Sequence, residues 1–331
     1  MSRRVVVQSV VGLAVSLVFG WLALRGAHVA DMRRSLDDAS YGWLVPALLA
    51  LAAALLLKTE RWRSLFSRAE QTRVTRAVAF WTLAVGLFFN SALPARAGEV
   101  ARVLALHRAA AISRTQGVAA IVVERIFDLA SLALLLLLVA PLAPGGRLLT
   151  SAIVASAAIL VAVPVLCVAL VALRGRFRRL ARAAVRRLPI VGGARADATL
   201  ASLASGVRGL VDARRACTIG AWSLASWIAL AVSNWFVLRA FDASVPWHAA
   251  VVIVVVTNLA QVLPATAGSL GVFEAACVAS LAAYGVGKGT ALPIALALHA
   301  VNLLPFLPLG LLALGRLGLH ASELRAAPAD A

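Results

Sequence analysis

The sequence predicts an all-α polytopic membrane protein, with six full transmembrane helices plus two re-entrant helical hairpins in an inverted-topology repeat. Three observations carry that prediction. First, 62% of the 331 residues are apolar, 14% are charged and the mean hydropathy is +0.92, whereas a soluble domain carries about 25% charged residues. Second, 32 basic residues face 14 acidic ones, a net charge of +18. The basic residues fall in short runs between long apolar stretches, as in the cytoplasmic loops of membrane proteins and unlike a nucleic-acid-binding face. Third, one short motif recurs in two interrupted apolar segments.

A crossing helix needs about 20 apolar residues, and backbone polar groups in lipid must be satisfied within helices or closed barrels. The runs here are of helical length. The first span is expected at Val5–Leu24 and the second at Tyr41–Leu57. An interrupted segment, Ala77–Arg108, comes next, followed by spans at Val118–Ala140, Leu148–Leu173 and Thr218–Leu238. A second interrupted segment covers Trp247–Tyr284, and the last span is Ala291–Gly315. The opening run is too long for a signal-peptide core and lacks a small-x-small cleavage site, so it reads as a span. Cys167, Cys217 and Cys277 are far apart, with no metal or redox spacing, and read as small apolar residues.

Orientation follows from arginine and lysine in the loops. Residues 25–40 balance three arginines against three aspartates. Residues 58–76 hold six basic residues, Lys58 and Arg61 among them, and residues 174–217 hold eleven arginines. The N-terminus, the loop at 58–76, the arginine-rich loop and the C-terminus are therefore expected in the cytoplasm. That assignment alternates only if each interrupted segment enters and leaves on the same side.

The recurring motif is L-P-A-R-A-G at Leu93–Gly98 and L-P-A-T-A-G at Leu263–Gly268, 170 residues apart and identical at five of six positions. Asn90 precedes the first copy and Asn258 the second. Proline removes a backbone donor and glycine admits unusual dihedrals, so Pro94 and Gly98, and Pro264, Gly268 and Gly271, are the expected helix breaks. Three full spans separate the equivalent points, which inverts the halves: 1–145 with a hairpin near 77–108, and 146–331 with the basic loop 174–217 and a hairpin near 247–284. Paired Gly/Pro-broken segments of this kind mark a transporter's midplane site.

Charges at bilayer depth cost at least about 2.5 kcal/mol each, so each is a site candidate. The first broken segment carries Arg96, Glu99 and Arg102, with Glu99 and Arg102 three apart and expected on one face. The next span opens with Glu124, Arg125 and Asp128; the two carboxylates, four apart, share a face and Arg125 points about 100° away. Glu274 lies in the second broken segment, and His299 and Asn302 in the last span. Two compatible readings hold: ion pairs that fasten the hairpins to neighbouring helices, or Arg96, Arg102 and Arg125, with Asn90 and Asn258, as ligands of a lipid headgroup. In the second, Glu99, Glu124, Asp128, Glu274 and His299 balance or gate the cations. For His299 a helix-packing hydrogen bond is the favoured reading over a proton relay. Trp62 is expected in the interfacial belt and Trp227 in packing.

The stretch N-x2-L-P-A-R-A-G-E-V-A-R from Asn90 to Arg102, with V-E-R-I-F-D from Val123 to Asp128 and L-P-A-T-A-G-S-L-G-V-F-E from Leu263 to Glu274, resembles the membrane region of lysylphosphatidylglycerol synthases. That flippase-like family includes hopanoid-biosynthesis-associated members. The chain departs from its pattern at Ala267, often proline, and at His299, often arginine. Only about 16 residues follow the last span, so the resemblance implies the flippase-like part without the soluble aminoacyltransferase domain.

The function expected is movement of a phospholipid or lipid-linked polar group between leaflets. The rivals are an accessory subunit presenting lipid to a separately encoded lipid-modifying enzyme, and a membrane-embedded transferase with Glu124 or Asp128 as base. No catalytic residue, cofactor or metal is expected. The partners are membrane lipid and the anionic inner leaflet, not nucleic acid, and the location is a bacterial-type inner membrane.

Overall fold

A computed structural model describes residues 3–26, 28–93, 97–172, 213–261 and 266–319. Their regular structure is entirely helical: twelve α-helices and four short 3-10 turns. The helices are α1 (Arg3–Leu24), α2 (Val29–Asp37), α3 (Leu44–Ser64), α4 (Arg76–Ala92), α5 (Ala97–Ala110), α6 (Arg114–Val139) and α7 (Arg147–Ala172). From Ala213 on come α8 (Ala213–Ala240), α9 (His248–Ala260), α10 (Val272–Ala283), α11 (Lys288–Leu303) and α12 (Phe306–Arg316).

Among the described residues, three stretches are long and apolar enough to cross a membrane: Tyr41–Ser64, Arg214–Ala240 and Lys288–Arg316. Gly12–Leu24 and Val29–Asp37, bent by 81°, make a fourth if counted together. Helix α6 has the length, 26 residues, but carries Glu124, Arg125 and Asp128 near its middle. Local sequence explains the boundaries. The Thr75 hydroxyl accepts from the Val78 N–H and starts α4, and Ser113 does the same for α6 through Gln116. Helix α3 runs on to Ser64, past the predicted end at Leu57, because no glycine or proline lies between Leu57 and Ser64 and Arg61 and Arg63 suit the negative end of the helix dipole.

Helices α3 and α8 pack along their whole length and run antiparallel. At one end the Ser40 N–H donates to the Ala240 carbonyl at 2.7 Å; at the other the Arg215 Nε donates to the Ser64 carbonyl at 3.2 Å. Two helix pairs flank this axis. Helix α4 packs on α5, and their outer ends lie together, since Arg73 before α4 donates to the Ala111 carbonyl just after α5. Helix α9 packs on α10, and their outer ends also meet, with the His248 and Tyr284 rings 5.7 Å apart. The first pair opens at the Ser64 end of the axis and the second at the Ala240 end. Between them the inner ends touch: a Cβ on Gly268 would stand 3.6 Å from the Ser91 carbonyl.

Packing at these inner ends is tight enough to require glycine. A Cβ on Gly98 would lie 1.9 Å from the Gly86 carbonyl, and one on Gly271 2.3 Å from the Ser16 carbonyl. Gly268 and Gly271 have φ of 65° and 82°, in the left-handed region. Pro94, Arg96 and Pro264 lie outside the described residues, as does the core of the basic loop.

Candidate functional site

The charged residues of the first half converge where α3, α5, α6 and α8 meet. Helix α3 turns Lys58, Arg61 and Trp62 onto one face by their i, i+3, i+4 spacing. Arg61 is the hub, with its side chain 1% exposed. Its Nη2 donates to Glu124 Oε1 at 2.7 Å, and its Nη1 donates to Asp128 Oδ1 and, at 3.1 Å, to the Ser223 hydroxyl. The expected common face of Glu124 and Asp128 is thus used to bracket one guanidinium. Trp227 Nε1 completes the Asp128 side, donating to Oδ1 at 2.8 Å.

Arg102, from α5, reaches the same carboxylate from the other side. Its Nη1 donates to Glu124 Oε1 at 3.1 Å, and its Nη2 lies 2.8 Å from Oε2 in an ionic contact outside hydrogen-bond angles. The guanidinium rests on the Trp62 ring, 3.5 Å from its centroid, a geometry that stabilises a desolvated cation. The seat for Arg102 exists because residue 86 is glycine: a Cβ there would sit 3.1 Å from that of Arg102.

Glu99 and Arg102, three apart on α5, serve different partners. Glu99 Oε1 accepts from Arg125 Nε at 3.1 Å and Nη2 at 2.7 Å, and Arg125 Nη1 also lies 3.6 Å from Asp128 Oδ2. This pair is the open edge of the cluster, Arg125 being 42% and Glu99 26% exposed. Lys58 Nζ stands over the Trp227 ring, 4.6 Å from its centroid. Four cations, Lys58, Arg61, Arg102 and Arg125, therefore surround three carboxylates, Glu99, Glu124 and Asp128. The Nε groups of Arg61 and Arg102 are buried without a hydrogen-bond partner.

Asn90 is a backbone anchor, its Oδ1 accepting from the Gly98 N–H at 3.0 Å and so fixing where α5 restarts. Asn258 donates from Nδ2 to the Val254 carbonyl of its own helix at 2.8 Å. Glu274 and His299 form a second polar centre. Glu274 Oε2 accepts from the Gly271 N–H at 2.6 Å, and its Oε1 lies 2.5 Å from His299 Nδ1. His299 Nε2 lies 2.9 Å from the Gly268 carbonyl. Across from it the Ser16 hydroxyl of α1 accepts from the Thr266 N–H at 3.1 Å.

Sequence reading missed five members of the first centre. Arg61 and Lys58 were expected in a cytoplasmic loop, and Trp62 in the interfacial belt; the structure buries Arg61 and Trp62. They belong to a continuing helix, and the signal available was the i, i+3, i+4 spacing of Lys58, Arg61 and Trp62, with no breaker after Leu57. Ser223 and Trp227 gave no signal, because their role comes only from α8 packing across α6.

Both centres fall within the region of family similarity. The family model for the lysylphosphatidylglycerol synthase TM region matches residues 9–310. A UPF0104 membrane protein of Methanothermobacter thermautotrophicus is 27% identical over 281 residues, covering 80% of this chain and 77% of that one. The chain is a membrane protein of the lysylphosphatidylglycerol synthase TM region family.

Proposed function

We propose that this protein moves an anionic phospholipid or lipid-linked group between leaflets, with the headgroup phosphate taken by Arg125 at the open Glu99–Arg125 edge of the charge cluster and Arg102 behind it. The observation that carries the reading is the charge imbalance of the cluster behind that open edge. Four cations share three carboxylates, two guanidinium Nε groups are unpartnered, and Arg125 is partly open while Arg61 is closed off. An arginine beside an open face offers bidentate donors to a phosphate, and Glu99 is the carboxylate such a ligand displaces.

The architecture that serves this reading is six crossings with α4–α5 and α9–α10 as opposed re-entrant hairpins, in inverted repeats. Its support is the pairing of outer ends at opposite ends of the α3–α8 axis and the contact of inner ends. In this reading the protein sits in a bacterial-type inner membrane with both termini cytoplasmic, and the basic loop lies on the anionic leaflet. A partner enzyme encoded separately fits the same site as a consumer of the lipid delivered.

Leaflet exchange of fluorescent anionic and zwitterionic lipids in reconstituted liposomes tests the function. Exchange above protein-free liposomes, slowed tenfold or more by Arg125→Ala and Arg102→Ala in folded protein, is expected. Absence of exchange for every lipid with folded wild type would overturn the reading. Single cysteines at residues 110–116 test the hairpins: they should react with an impermeant reagent from the cytoplasmic side only.

A further inference from the structure

We propose that Glu274 and His299 bind one proton as a carboxylate–imidazolium pair, and that this proton latches residues 266–271, just before α10, onto α11. The inference is independent of what the arginine cluster binds.

Hydrogen-bond bookkeeping carries it. His299 Nε2 faces the Gly268 carbonyl at 2.9 Å, an acceptor with no proton to give, so Nε2 must hold a hydrogen. Nδ1 faces Glu274 Oε1 at 2.5 Å. Glu274 Oε2 is already an acceptor from the Gly271 N–H at 2.6 Å, which favours the ionised carboxylate. Nδ1 is then also a donor, and the ring carries both hydrogens and a positive charge. The Phe273 ring, with its centroid 4.5 Å away and inclined by 32°, offers a π-face to that cation. Both residues are buried, at 6% and 7% exposure, and His299 is the twelfth residue of a 29-residue candidate span.

The same bonds restrain strained backbone. Gly268, Ser269 and Gly271 have φ of 65°, 59° and 82°, and serine is costly in that region. His299 holds the Gly268 carbonyl, Glu274 holds the Gly271 N–H, and the two are joined through the proton. When Nδ1 releases its proton to water, a neutral imidazole lone pair is left facing a carboxylate oxygen across 2.5 Å. The bond becomes a repulsion, and the latch to α11 opens. The latch is therefore present below the titration of the pair and lost above it.

Little else that titrates stands beside this pair among the described residues. Helix α10 itself contributes the buried Cys277 thiol, which feels the Glu274 charge. From α1 come Ser16 and Gly20, from α4 the Ser91 carbonyl, and α9 presents an apolar run. Helix α8 meets α11 through Asn234 and Asn302. On α2, Asp31 packs against Gly289, ten residues and about 15 Å up the helix from His299, and Arg34 and Asp38, with Asp242 after α8, line the same cleft.

The test is nitrogen-15 histidine NMR of the full-length protein in liposomes across pH, with amide hydrogen exchange of residues 266–274 corrected for intrinsic pH dependence. The His299 signal is identified by its loss in His299→Gln or, should that variant not fold, by elimination through the other four His→Gln substitutions. Expected is a ring with both nitrogens protonated near neutral pH, and tenfold or greater loss of protection at 266–274 as it deprotonates. His299→Arg, permanently charged, should stay protected throughout; His299→Gln should be unprotected throughout. A neutral ring at every pH, or protection that ignores the state of the ring, overturns the proposal.

Discussion

The Arg61 guanidinium and the Glu124 carboxylate, 63 positions apart in sequence, meet at 2.7 Å with both side chains at most 5% exposed. Glu124 answers Arg102 as well, so one carboxylate ties α3, α5 and α6 together. Removing it strands the desolvated Arg102 and leaves Arg61 with Asp128 as its one carboxylate. Glu124→Gln should therefore lower stability by about 3–5 kcal/mol, read by denaturant unfolding in detergent. A loss under about 1 kcal/mol would mean that water reaches the cluster and screens it.

Asp128 depends on a neutral donor in addition to its arginines. Trp227→Phe keeps the ring packing and deletes the indole N–H that donates at 2.8 Å. The expected loss is about 1.5–3 kcal/mol, the worth of one hydrogen bond to a charged group. Equal stability of Trp227→Phe and wild type would show that Arg61 and Arg125 already saturate that carboxylate.

Glycine is required at the inner end of the first hairpin. A Cβ at residue 98 would stand 1.9 Å from the Gly86 carbonyl and 2.5 Å from Asn90 Oδ1, whereas one at residue 42 would meet nothing within 4 Å. Gly98→Ala should abolish folded, monodisperse protein on size-exclusion chromatography, and Gly42→Ala should elute as wild type. A well-folded Gly98→Ala would show that α4 and α5 can separate without loss.

Acid should loosen the turn between α3 and α4. Burial alone raises the Glu70 carboxyl pKa, but donation from the Ser67 N–H and hydroxyl and the Gln116 amide, with the Arg73 charge, outweighs it and holds the pKa below the usual carboxylate value. A depressed native pKa means stability that is fully present above the unfolded pKa, about 4.3, and lost as pH falls through the native value. The Tm gap between wild type and Glu70→Gln should be open at pH 7 and close as the pH drops below about 4. A gap unchanged down to pH 3 would remove Glu70 from the account.

Much of the organisation was legible in the chain. The broken segments at Leu93–Gly98 and Leu263–Gly268 announced themselves because proline and glycine act on the local backbone. The grouping of Glu124 with Asp128 was legible because helical periodicity is local as well. Arg61 was not legible. Its lysine- and arginine-rich surroundings read as a loop by composition, and what buries it is a pair of carboxylates that the chain reaches only 63 and 67 residues later.

By itself, then, the sequence determined helical class, membrane character, the two breaks and the charges of α5, α6 and α10 held in apolar surroundings, since each follows from composition or from spacing within a few residues. Tertiary structure alone decided which charge meets which. It separated Glu99 from Arg102, seated Arg102 on Trp62, and set His299 between Glu274 and Gly268. Those choices depend on the register of helices packed from distant parts of the chain, and the strength of an ion pair depends on the burial that packing creates.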